Sequence, residues 1–118
     1  MKRPTTAILL AALAIAASGA HANSSNGTNY IETITLHDSG HVLIRLSGSS
    51  NTEGCATSGL QNIIVLHKDY FHYKQMYAMA LEAMALGKPI SGWVNGCVDI
   101  WGSGTLMLVK ATTLDLSR

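Results

Sequence analysis

Residues 70–86 contain neither glycine nor proline, and the second half of that stretch, residues 76–86, reads MYAMALEAMAL with Glu82 as its one charge. Such a run of strong helix formers dictates a helix. Gly87 and Pro89 supply its stop, the glycine at the left-handed position and the proline just beyond. The N-cap is expected at Asp69 or a turn or so later. Elsewhere the chain offers only short β-branched segments between Gly, Ser, Asn and Asp clusters, so it must build a sheet served by a single helix.

The first 22 residues, MKRPTTAILLAALAIAASGAHA, place Lys2 and Arg3 before an apolar run and close on small residues, the three-part layout of a secretory signal peptide. The apolar run, of about 11 residues, is well short of the roughly 20 that cross a hydrocarbon core, so no membrane span is expected. Cleavage after Ala22 removes Lys2 and Arg3 and takes the formal charge from +1 to −1. No basic block remains to track a phosphate backbone, which argues against nucleic acid as a partner. A secreted or periplasmic protein meets an oxidising environment, and Cys55 and Cys97 are an even pair, so one disulfide is expected. By chain entropy such a loop closure is worth about 4 kcal/mol. Without a CxxC or companion cysteines, the pair is not read as a redox or metal site.

Residues 23–29 (NSSNGTN) have nothing to bury and are read as a flexible leader, with a single domain over residues 30–118. Residues 30–37 and 41–47 form a hairpin turned at Asp38, Ser39 and Gly40, with Val42, Ile44 and Leu46 on one face and Leu43 and Arg45 on the other. Residues 48–59 are a loop pinned at Cys55. Residues 60–67 then give a third strand whose centre, Ile63, Ile64, Val65 and Leu66, is apolar on both faces. After the helix, residues 89–94 make a fourth strand, Asn95 and Gly96 a turn, and residues 105–116 a long fifth strand. The fold class is therefore mainly β with one helix, in the order β-β-β-α-β-β. That order fits a five-stranded Greek-key barrel of the OB type, with a split α+β sheet as the alternative.

The helix is apolar nearly all the way round, too much for one whose back lies in water. Either another subunit covers it, through Met76, Met79, Ala83 and Leu86, or it is sunk between sheet and loops. The run Met76, Tyr77, Ala80, Leu81, Gly87, Pro89 and Ile90 resembles the helix and following strand of the binding subunit of subtilase cytotoxin and its small secreted relatives. The resemblance implies an OB-fold domain in a pentamer, with helices lining a central pore and glycan pockets on the barrel side.

Trp93 and Trp101 bracket the second cysteine in WVNGCVDIW, with Asn95 and Asp99 close by. An aromatic plane beside an amide and a carboxylate is what a sugar pocket uses. Trp101, next to the flexible Gly102, Ser103 and Gly104, is the expected contact, while Trp93 is expected to pack on the disulfide. His37, Asp38, Ser39 and His41 include every residue type of a hydrolytic triad, but neighbours on one tight turn do not converge as a triad must. They are read as a polar hairpin end rather than a catalytic or metal site, and the same holds for His67 and His72 around Asp69. Tyr70, Phe71, Tyr73 and Tyr77 are read as packing residues. No catalytic residue, metal or cofactor is expected. The sequence points to a secreted, non-enzymatic binding module that assembles as a homo-oligomer, with glycan or protein as partner. The alternative is a periplasmic structural or inhibitor protein that docks on another protein through the apolar helix.

Overall fold

The computed structural model describes residues 24–55, 57 and 59–118. The expected signal peptide, residues 1–22, lies outside the described residues, as does Asn23. The described chain is mainly β with one helix: β1 (Ser24–Ser25), β2 (Ile31–Leu36), β3 (Val42–Leu46), β4 (Ile63–Leu66), α1 (Tyr73–Leu86), β5 (Ile90–Val98) and β6 (Leu108–Leu116).

The strands form one six-stranded mixed sheet in the order β1-β5-β6-β4-β3-β2. This corrects the expectation of five strands closed into a barrel: the ladder has two ends, β1 and β2. The extra strand arises in the polar leader. Ser24 and Ser25 pair with Val94 and Trp93, and Asn29 exchanges two backbone hydrogen bonds of 2.8 Å with Ile90. Backbone pairing needs no apolar side chain, so a polar segment can join a sheet.

All neighbouring strands are antiparallel except β4 and β6, which run parallel through Ile64↔Val109 and Val65↔Lys110. The hairpin β2–β3 keeps the predicted faces. Val42, Ile44 and Leu46 are buried with Ile64, Leu66, Ile90, Val94, Val109 and Ala111 in the main core. Leu43 turns to the opposite face and joins Ile63, Val65, Ile100 and Leu108 in a second cluster. Strand β4 is buried along its whole length, as its continuous apolar run predicts.

Helix α1 packs on β2, β4 and β6 and buries Met76, Ala80 and Ala83, spaced at i, i+4 and i+7. It ends as expected: Gly87 takes φ 64°, and the Lys88 and Gly87 N–H groups donate to the carbonyls of Ala83 and Met84. Its start is the later of the two expected. His72, not Asp69, occupies the N-cap position and gives no side-chain cap, because residues 67–72 first turn back on themselves through Tyr70 N–H to His67 O.

One further difference lies in β5. Asn95 and Gly96 do not turn the chain; they sit in a bulge between Val94 and Cys97, where Gly96 has φ 75°. A bulge of the kind whose extra residue is left-handed favours glycine as such a turn does. Gly92 allows β5 and β6 to approach closely, since a Cβ there would lie 2.0 Å from the Thr113 carbonyl oxygen.

The bulge carries Cys97 to Cys55, and the two form the expected disulfide, with Cα atoms 5.8 Å apart. Cys55 is braced a second time by Asn51, whose side chain accepts the Cys55 N–H and donates to its carbonyl, both at 2.8 Å. Replacing both cysteines by serine is expected to lower the unfolding free energy by about 2–4 kcal/mol in urea denaturation. Equal stability of the two proteins would mean that Asn51 alone holds the loop.

Candidate functional site

The segment between β5 and β6, residues 99–107, is folded by its own polar groups. The Asp99 carboxylate accepts the N–H groups of Ser103 at 3.2 Å and Gly104 at 2.7 Å. Ser103 Oγ in turn accepts the N–H groups of Thr105 and Leu106, both at 3.3 Å. Ile100 points down into the second hydrophobic cluster and fixes the loop over the outer face of β3 and β4. Trp101 therefore leaves a rigid support with its indole 43% exposed.

Beneath it the pleat aligns side chains from three strands. The pairs Thr33↔Arg45 and Arg45↔Ile63 form one cross-strand row, and Thr35↔Leu43 begins the next. With Leu60 and Trp101 these residues line a groove of about 250 Å³. No ion-pair partner of Arg45 is found among the described residues. The His37 ring meets Trp101 edge to face, with centroids 6.1 Å apart and planes at 85°. An aromatic face, two hydroxyls and a guanidinium can stack on a ring and hydrogen-bond its substituents, a carboxylate best of all.

Of the three residues expected at a ligand site, only Trp101 lines this groove. Asp99 is engaged with the loop amides and acts as a positioning residue. Asn95 lies in the β5 bulge, away from the groove lining. Trp93 is 45% exposed, as open as Trp101, which does not fit the expected packing on the disulfide. Sequence reasoning missed Thr33, Thr35 and Arg45, although the alternation that puts them on one face of the hairpin was the available signal.

The helix residues expected at a subunit contact divide. Met76 and Ala83 are buried in the protein's own core, whereas Leu86 is exposed together with Leu81 and Met84. Met79 lines a larger, mostly apolar groove of about 540 Å³ between α1 and β6, with Met76, Gln75, Thr112, Thr113 and Leu114. Its mouth is formed by Tyr70, Phe71 and His72, and Phe71, expected to pack inside, is 73% exposed.

The residues of the polar hairpin end do touch. His37 Nδ1 lies 2.8 Å from Ser39 Oγ and 3.0 Å from Asp38 Oδ1. Both contacts use the same ring nitrogen, while a triad needs hydroxyl and carboxylate on opposite nitrogens, so this cluster cannot relay a proton. Among the described residues no group of three His, Cys, Asp or Glu converges as metal ligands do, and no helix is long and apolar enough to cross a membrane. His41 is nearly buried, and its pKa is lowered by burial first, then by His67, Lys68 and His37, with Asp69 opposing.

No family model, curated protein or solved structure matches this chain.

Asp99→Ala is expected to release the Ser103 and Gly104 amides, seen as faster hydrogen exchange at both. A stability loss of about 1–2 kcal/mol should accompany it. Unchanged exchange at Gly104 would show that the carboxylate does not hold the loop.

Proposed function

We propose that this chain is a secreted or periplasmic, non-enzymatic binding module that takes a carbohydrate in the Trp101 groove. The observation that carries this reading is Arg45, which has no ion-pair partner among the described residues, set beside the Thr33 and Thr35 hydroxyls under a supported indole. A sugar offers an apolar ring face to the indole and hydroxyl or carboxylate oxygens to the other three. The disulfide fits an oxidising compartment.

For the module we favour an OB-like arrangement of strands and helix, in a sheet that is not closed into a barrel. Two features support it: the helix lies between β4 and β5, and the segment from Ser24 to Leu36 pairs with β5 through its first half and β3 through its second. The resemblance of the Met76–Ile90 run to toxin binding subunits supports a homo-oligomer. In such an assembly Leu81, Met84 and Leu86 on α1 would meet neighbouring copies, a pentamer being the form that the resemblance suggests. The same exposed residues equally favour a second reading, docking of α1 on a different protein.

Immobilised glycans test the first reading. Retention of an acidic glycan should fall at least about tenfold with Trp101→Ala, a loss of about 1.4 kcal/mol. Arg45→Ala should weaken the acidic glycan and spare its neutral counterpart. Binding that ignores both substitutions would remove the groove from consideration. Light scattering should give several times the mass of one chain, 12.5 kDa before processing; a single-chain mass would favour the second reading.

A further inference from the structure

Where the β2–β3 hairpin turns and β4 runs out toward α1, two imidazoles lie against each other. The register Val42↔Leu66 places His41 beside His67 one step beyond the ladder, and their ring centroids are 4.3 Å apart. His41 is only 7% exposed. Its Nδ1 accepts the Lys68 N–H at 3.0 Å, and His67 Nδ1 accepts the Asp69 N–H at 3.1 Å. A ring nitrogen that accepts a hydrogen bond carries no proton, so this geometry selects the Nε2–H tautomer of each ring. That tautomer leaves no free lone pair for a metal ion.

Other groups close the arrangement. From α1, Tyr73 donates its hydroxyl to the Gly40 carbonyl at 2.9 Å. The Lys68 stem lies against Gly40, where an added Cβ would sit 3.1 Å from Lys68 Cδ. From β6, Lys110 shares a pocket of about 220 Å³ with His67, Asp69 and Tyr70. On the hairpin itself His37 is held by Asp38 and Ser39. Asp69 is the one carboxylate that acts on His41 in favour of its charged form, against His67, Lys68 and His37.

We infer that His41 and His67 form an acid-released latch, which fastens the connection 67–72 to the hairpin end and lets go on protonation while the sheet stays paired. A proton on Nδ1 turns an acceptor into a donor, so the Lys68 or Asp69 amide then faces a group of its own polarity. The His67 ring, its centroid 4.3 Å away, adds to the cost of a charge on His41. The ladders of β3, β4 and β6 rest on backbone groups that do not titrate in this range, and they survive. The released connection carries Tyr70, Phe71 and His72, so the mouth of the α1–β6 groove changes first.

The sign follows from the environment of His41. Its folded pKa lies below the ordinary 6.5, so the opened state binds the proton more readily. The fastening is therefore complete above pH 6.5 and is lost as the pH falls through that value toward the folded midpoint.

Nuclear magnetic resonance on the full oxidised protein tests this, following histidine rings and amide exchange from about pH 8 to about pH 4. His41 should titrate below 6.5. The protection of the Lys68 amide should fall by up to about tenfold per pH unit between 6.5 and that midpoint, while the Ile64 and Val65 amides remain protected. His41→Asn, whose Oδ1 can accept the Lys68 N–H without titrating, should remove the pH dependence at Lys68. His67→Gln should raise the His41 midpoint. Loss of protection at Lys68 and Ile64 together, or titration of His41 at 6.5 or above with Lys68 unmoved, overturns the inference. Should His41→Asn fail to fold, the titration and exchange of the unsubstituted protein decide it alone.

Discussion

The parallel seam between β4 and β6 is the constraint on which the rest of the molecule depends. It joins two antiparallel groups of strands, β1-β5-β6 and β4-β3-β2, through the pairs Ile64↔Val109 and Val65↔Lys110. Two parallel neighbours cannot be joined by a tight turn, and the chain between them here spans α1 and all of β5. The seam is covered on both sides. Ile64, Leu66 and Val109 face the main core with Met76, Ala80 and Ala83 of the helix, while Ile63, Val65 and Leu108 face the outer cluster. One strand pair thus seats the helix below and the Trp101 loop above.

The outer cluster explains how a loop rich in glycine and serine presents an aromatic side chain in a fixed place. Ile100 anchors it from beneath and Asp99 ties it from within, so the adjacent Trp101 is carried by two independent restraints. The groove floor is regular sheet. Its row Thr33–Arg45–Ile63 owes its alignment to cross-strand register alone. On the opposite side of the sheet, α1 has one face in the core and an apolar face in the open, an arrangement that costs hydration free energy until another surface covers it.

Much of this is written in local patterns. The β-branched runs mark β2 to β4, Gly87 and Pro89 mark the end of the helix, and the two cysteines mark a pair that the fold brings together. The exposure of Trp101 was legible because a glycine-rich break adjoins it. What was not legible depends on partners distant in sequence. Ser24 and Ser25 enter the sheet through backbone groups that every residue has. Asn95 and Gly96 suit a turn and a bulge alike, and only the register against β6 decides. Asp99 looked like a ligand group until the loop folded around it. His41 and His67 come together only because β3 and β4 are neighbours, and Thr33, Thr35 and Arg45 become one surface for the same reason.

The position of the last strand has a consequence for folding. Leu108–Leu116 lies in the interior of the sheet, between β4 and β5, so the groups β4-β3-β2 and β1-β5 are joined only through it. Ser24 likewise pairs with the distant Val94. The complete sheet therefore forms only through pairing between segments far apart in sequence, a step that local hairpin formation cannot supply.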